Sequence, residues 1–353
     1  PEVTTVYAAD VIDFAREMKW YSGKDKNFSF SETYAPVDFG GARFCEIRVW
    51  SMFDQVIDNG DQYWEYAKGN IEHAEKLANG DKNVDGYATN RMPLWVKPNR
   101  KISTQDMMHF MRNHLEGTEL DMSKDAGAGP YAVPYRWRGM TWEVDGEMYC
   151  HERVTATQQT GFSFISQSRS WLPNEIGGII WFGMDDASST VYAPMYSSMT
   201  KAPRTFERGN GKMMVWSDDA AFWVFNQVTN YAYTRYNAIH PEIAEKQKAY
   251  EDGFVAAIKE VDKVALALLE KDSKTAVAYL TNYSSSEADK LTHNWKEFYQ
   301  YLFMKYMDGN VKTADPGKQN PIVKQPGYSK DFLKVIVKDH GDKIKMPKEK
   351  GGH

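Results

Sequence analysis

Gln158, Gln159, Thr160, Ser168 and Arg169 bracket the run Phe162-Ser-Phe-Ile-Ser-Gln167, and Asp185 and Asp186 close the run Ile179-Ile-Trp-Phe-Gly-Met184. Both runs have strand composition, and residues of alternate parity on a strand face opposite sides. Phe162 and Phe164 therefore point one way and Ser163, Ile165 and Gln167 the other, so one face is greasy and the other can hold a polar site. Amides, a guanidinium and neighbouring carboxylates at strand ends are groups that hold a carboxylate, an oxyanion or an amine. Arg153 and Arg169 are costly on an apolar sheet unless each meets a carboxylate from the protein or from a substrate. A structural ion pair with Asp185, Asp186 or Glu175 is one reading, and capture of a substrate carboxylate is the other. Gln158 and Gln159 can donate amide hydrogens to a developing oxyanion, although adjacent strand residues cannot both face one site.

Other chemistries find less support. His109 and His114 are five residues apart in an expected helix and do not share a face, so no metal site is expected. The glycines of Asp125-Ala-Gly-Ala-Gly-Pro130 run into Tyr131-Ala-Val-Pro134, whose second proline discourages a helix. A phosphate cradle is therefore not expected, and the segment reads as a loop passing close to another backbone. No Gly-x-Ser-x-Gly elbow occurs. No cofactor is called for.

The elements that must position these residues follow from periodicity. Apolar residues at three-to-four spacing predict helices over 8–19, 46–57, 63–79 and 103–115, the last with Ser103 and Asp106 as a capping signal. From 135 to 196 the chain turns rich in Trp, Tyr, Thr, Ile and Val, and Asp145-Gly146 between two such runs signals a hairpin. Helices then return. One is capped by Ser217 and buried all round through Phe222, Trp223, Val224, Phe225 and Val228. The next begins near Pro241 and stripes Ile243, Tyr250, Phe254, Ile258, Val261, Val264 and Leu268 on one side. A third runs from the Ser284-x-x-Glu287 capping box to Gly309. The stretch 313–328 reads as a loop and 331–338 as a short final helix. The division is a mainly helical part over 1–130, a β-rich part over 131–215 and a helical part over 216–353, hence an α+β class with helices covering a central sheet.

With 353 residues the chain can bury a substantial core, and two cysteines, Cys45 and Cys150, are too few for a disulfide framework and read as small buried hydrophobes. A net charge of -5 with interspersed signs argues against a nucleic-acid surface. The basic tail 343–350 reads as a solvated end. No run reaches the ~20 apolar residues needed to span a bilayer. The chain starts at Pro1, so it is expected to be trimmed, processed or taken from partway along a longer product. Eleven Trp and twenty-one Tyr suit a core of large flat side chains, or a carbohydrate-stacking surface.

Gly129-Pro-Tyr, Pro134-Tyr-Arg-Trp-Arg, Ala156-Thr-Gln-Gln-Thr-Gly-Phe-Ser-Phe, Gln167-Ser-Arg-Ser-Trp-Leu-Pro, Trp181-Phe-Gly, Asp185-Asp and Val191-Tyr-x-Pro-Met-Tyr occur in order. So do Phe28-Ser-Phe-Ser, Ala42-Arg-Phe-Cys-Glu and Ala221-Phe-Trp-Val-Phe-Asn226. In these the chain resembles the dipeptidase family of N-terminal nucleophile cysteine peptidases. The resemblance implies an αββα sandwich, incomplete here, with helical N- and C-terminal extensions. It also implies a terminal cysteine that attacks the peptide carbonyl with its own amine as base. Pro1 has no nucleophilic side chain and Cys45 has no terminal amine, so the catalytic residue is expected on a missing N-terminal segment or companion chain. The chain alone is expected to be inactive, and dipeptides are the expected substrate. Arg153, Gln159 and Arg169 are then candidates for carboxylate or oxyanion contacts, and Asp185 for an orienter or a partner of the substrate amine. The resemblance favours a bacterial extracytoplasmic location, periplasmic or secreted. Rival readings are an amide hydrolase of the same architecture acting on bile-acid or penicillin-type amides, a non-catalytic aromatic-rich binding module, and Pro1 itself as a base.

Overall fold

A computed structural model describes residues 6–72, 90–137 and 139–348. The protein has mixed helix and antiparallel sheet, in two compact units: Pro1–Ser103 with Thr141–Thr155, and Thr104–Met140 with Ala156–His353.

The first unit is built from short helices, among them α1 (Val11–Glu17) and α2 (Ile47–Phe53), and from the hairpin of β1 (Thr141–Val144) and β2 (Glu147–Cys150). Asp145 and Gly146 both have positive φ, 53° and 85°, as the right-handed twist of a two-residue hairpin demands; the hairpin signal is met at those residues. Ile47 and Trp50 of α2 are buried, and the Trp50 indole stacks on Trp64 and donates to the Gly60 carbonyl at 2.9 Å. The helix expected over 63–79 is present as a turn at Trp64–Ala67, and its part from 73 onward lies outside the described residues, as do residues 1–5. Cys45 is exposed and Cys150 half-buried, so neither is the small core residue that the sequence suggests.

The second unit holds α3 (Thr104–Phe110), and strands β3 (Phe162–Ser168), β4 (Gly178–Met184) and β5 (Ala193–Tyr196), an antiparallel sheet in that order. Helices α4 (Ala221–Ala232), α5 (Tyr236–Leu269) and α6 (Ser273–Tyr306) cover one face. Ile165, Ile179 and Trp181 point into that contact and pack with Phe225, Ile243, Leu280 and Trp295. The face of Ser163 and Ile165 is thus the core side. The face of Phe162, Phe164, Ile180 and Phe182 is the open one, with Phe162 58% and Phe164 52% exposed. The parity argument separates the two faces correctly and assigns the polar one to the wrong side, because β-branched and indole neighbours on β4 outweigh one serine.

Local capping signals are overruled in three places. α4 starts after Ala220 with no side-chain cap, and Ser217 bonds Asn210 and Asp219 instead. α5 starts at Tyr236 and carries Pro241 inside its second turn. α6 starts eleven residues before Ser284, capped by Asp272, whose carboxylate accepts from Thr275 N at 2.8 Å. Ser284 lies buried in the helix interior, where its hydroxyl accepts from Tyr196 N of β5 at 3.1 Å. Asp272→Ala should shift the urea midpoint to lower concentration with no change in the denaturant slope.

The stretch 313–328 is the arm of a small hairpin that pairs β6 (Val311–Thr313) with β7 (Ile322–Lys324), hidden in the sequence by its Pro, Gly and Lys content. The chain closes on α7 (Lys330–His340). Among the described residues no helix is long and apolar enough to cross a membrane.

Candidate functional site

β4 ends at Met184, and the chain enters the buried loop 185–190 through Asp185, whose φ of 71° is a conformation that Asp adopts more readily than most side chains. Its amide still bonds the Gly161 carbonyl at 3.0 Å, extending the β3–β4 ladder by one step. Asp186 then folds the loop on itself. Its carboxylate accepts from Ser188 N at 2.9 Å and Ser188 Oγ at 3.0 Å, and its carbonyl accepts from Ser189 N and Thr190 N.

Three elements hold this loop. The Tyr233 hydroxyl, just past α4, donates to Asp186 Oδ2. From α5, His240 Nε2 donates to the Ser188 carbonyl at 2.9 Å, and Gln247 Nε2 donates to the Ser188 and Thr190 carbonyls at 2.9 and 2.6 Å. From the segment after α3, Arg112 donates to the Ala187 and Thr190 carbonyls and forms a two-point ion pair with Glu251 of α5 at 2.5 and 3.1 Å. Glu251 Oε1 also accepts from Tyr192 N at 3.0 Å. Paired donors and acceptors of this kind are what allow charge so deep in a fold.

The electrostatics are those of a buried polar cluster. Asp185 is 2% exposed and its Oδ2 has no hydrogen-bond partner among the described residues. Burial, tempered by the Thr229 hydroxyl and reinforced by the Asp186 carboxylate, pushes its pKa up to about 8, so at neutral pH it carries a proton. Ser189 Oγ and Thr190 Oγ1 are likewise buried with no such partner. Burial lowers the His240 pKa, which keeps the ring neutral with its proton on the nitrogen facing Ser188, and the ring stacks on Tyr236 at 4.4 Å. Burial first, then the Asp186 charge, raises the Tyr233 hydroxyl well above its ordinary range, so Tyr233 keeps the proton that it donates to Asp186.

The candidates from sequence are dispersed. Asp185 sits inside the hub. Gln159 is exposed on the turn before β3, two residues from the Gly161 that bonds Asp185. Arg169 lies past the other end of β3, since Phe162 pairs Met184 and Ser168 pairs Gly178, which puts it about 26 Å along the strand from Asp185 at ~3.3 Å per residue. Its guanidinium is buried and bonds Asp262 of α5 and the Ile176 and Gly177 carbonyls, and it lies over the Tyr196 ring at 5.8 Å. The ion pair weighed for it exists, but with Asp262 in place of Asp185, Asp186 or Glu175. Arg153 is exposed, off the sheet and in the first unit, so it needs no buried partner. Gln158 donates to the Arg136 carbonyl.

Sequence reading missed Arg112, Tyr233, His240, Gln247 and Glu251. A signal existed for the last two: with Ile243 and Phe254 they continue the buried stripe of α5 at three-to-four spacing, and polar residues on such a stripe must have partners. Among the described residues no group of three or more His, Cys, Asp or Glu gathers as a metal shell. A groove of about 610 Å³ beside α5 and α6 is lined by Tyr250, Asn294, Phe298 and Tyr301, but Lys246 already lies over the Phe298 face at 5.0 Å. Cys45 is exposed, and burial raises the Cys150 thiol, Arg43 opposing and Glu152 adding to the rise.

The sequence profile of peptidase family C69 matches residues 2–249, a range that includes the whole loop 185–190 and its contacts from α4 and the start of α5. Over 216 residues the chain is 23% identical to a probable dipeptidase of Latilactobacillus sakei, covering 61% of this chain and 40% of that one. Over 290 residues it is 20% identical to a probable dipeptidase B of Streptococcus pyogenes serotype M1, covering 81% and 50%. The chain thus spans half or less of the length of these curated relatives.

Proposed function

Because the chain belongs to peptidase family C69, we propose that it forms the scaffold part of a cysteine dipeptidase whose nucleophilic thiol lies on polypeptide outside these 353 residues. The family match over 2–249 carries the reading. Three further observations support it. The matched relatives are named probable dipeptidases and are about twice the matched length. Burial raises the Cys150 thiol rather than lowering it. The open sheet face of Phe162, Phe164, Ile180 and Phe182 is the kind of apolar surface that a second sheet covers in an αββα sandwich.

Within this reading Asp185 is an orienter rather than a contact, because it is too deep to touch a dipeptide without displacing the loop. It holds the end of β4 while the exposed Gln159 at the same end of β3 offers an amide N–H to the oxyanion. Arg169 positions the opposite end of the sheet through Asp262. Arg153, exposed in the first unit, is a proposed contact for a substrate carboxylate. An extracytoplasmic bacterial location belongs to the same proposal and rests on the family resemblance.

The test is hydrolysis of a dipeptide panel, beside bile-acid and penicillin-type amides, by the 353-residue chain and by the longer gene product. The expected result is no turnover by the chain alone and dipeptide cleavage by the longer protein. Turnover by the chain alone, or cleavage of the non-peptide amides only, overturns it. The exposed Trp95, Trp137 and Trp171 favour a second reading, an aromatic-rich binding module, which requires saturable glycan binding that quenches their fluorescence.

A further inference from the structure

The C-terminal helix α7 has no buried residue, and Ser329 caps it through Phe332 N at 3.2 Å. At 100° per residue Phe332, Leu333, Ile336 and Val337 share one broad side, with Val335 at its flank. Leu333, Val335 and Val337 are all exposed, the last two at 56%. Lys330, Lys334 and Lys338, four residues apart, form a stripe opposite. Past the helix the pattern continues: Ile344 and Met346 are exposed, and Lys343, Lys345 and Lys348 alternate with them. From 330 to 348 there are six lysines against three aspartates, on a chain whose net charge is -5. Positive charge is therefore concentrated on a segment that also presents a largely exposed apolar stripe, in which Phe332 meets only the Tyr328 ring at 5.3 Å among the ring contacts of the described residues.

We propose that α7 and the residues after it form a docking surface for an anionic lipid headgroup layer. The helix would lie in the plane of the interface with Phe332, Leu333, Ile336 and Val337 at the acyl boundary and the lysines reaching the headgroups. Charge separation selects this occupant. A second copy would have to bring an equally cationic segment alongside, and the rest of the chain carries a net negative charge, which favours this arm as the part turned to an anionic surface.

The experiment is co-sedimentation of the full chain with phosphatidylcholine vesicles, with and without about a third phosphatidylglycerol, at low and at about 0.5 M salt. Binding is expected only with the anionic lipid, to fall at least about tenfold at high salt, and to fall by a similar factor in Lys330→Glu/Lys334→Glu/Lys338→Glu. Leu333→Ala/Ile336→Ala/Val337→Ala should also lose binding while thermal unfolding of the chain is unchanged, because α7 contributes nothing to the core. Equal binding to both vesicles, no binding, or insensitivity to the lysine changes overturns the proposal. So does a dimer seen by sedimentation equilibrium without lipid that Leu333→Asp dissociates, which assigns the face to a second copy.

Discussion

Glu251→Ala should lower the unfolding free energy by about 3–5 kcal/mol, among the most damaging single changes in the protein. The carboxylate is 4% exposed and accepts three hydrogen bonds, two from Arg112 and one from the Tyr192 amide. Its removal leaves a guanidinium at the core edge with only the Ala187 and Thr190 carbonyls and the Tyr192 ring, 5.4 Å away, for company. It also leaves the Tyr192 amide without its acceptor. An unpaired buried charge costs more than the pair ever contributed, so Arg112→Met/Glu251→Met should be clearly less damaging than the sum of the two single changes. Urea unfolding of the four proteins measures this. A Glu251→Ala loss under about 1 kcal/mol would mean that Glu251 is not what holds Arg112 and the Tyr192 amide in place.

Asp185→Asn should act in the opposite direction and with a pH signature. Asp185 has a folded-state pKa of about 8, against about 3.9 for an unfolded aspartate. Between those values the folded protein binds one proton more than the unfolded chain. The contribution of Asp185 is therefore fully present below about pH 4, falls by roughly 1.4 kcal/mol per pH unit as the pH rises, and is lost by about pH 8. Asparagine tolerates the same positive φ and never ionises. The variant should match the parent near pH 4 and exceed it by on the order of 5 kcal/mol at pH 8. His240, whose lowered pKa destabilises the fold as pH drops below its ordinary 6.5, is present in both proteins and cancels in the difference. A pH-independent difference between the two in chemical unfolding would show that Asp185 is ionised in the fold.

The legible part of the fold was the part written in local chemistry. Asp145-Gly146 dictates its own turn, the alternation in 162–168 dictates a strand, and Lys330–His340 carries its period openly. What the chain hides is set by distant partners. Ser284-x-x-Glu287 has the form of a helix start, yet Ser284 serves as an acceptor for β5, 88 residues away in sequence. Arg169 finds Asp262 across 93 residues, and no spacing rule selects that carboxylate over the nearer Asp185, Asp186 and Glu175. The site was half legible for the same reason. Asp185 and Asp186 stood out as carboxylates closing a strand, whereas Gln247 and Glu251 passed as polar interruptions of a stripe. That stripe was read with Val264 and Leu268, although Val264 is exposed and Ala265 takes the buried position.

Family membership and the buried hub leave one claim at the centre of the proposed function, that the reacting thiol is neither Cys45 nor Cys150. Alkylation of the longer gene product with iodoacetamide, followed through time by peptide mass and by dipeptide hydrolysis, tests it directly. The proposal requires that loss of activity track a label on a cysteine outside these 353 residues, with Cys45→Ser/Cys150→Ser retaining activity and the same inactivation rate. Inactivation that tracks Cys45 or Cys150, or full activity after complete alkylation, would contradict it.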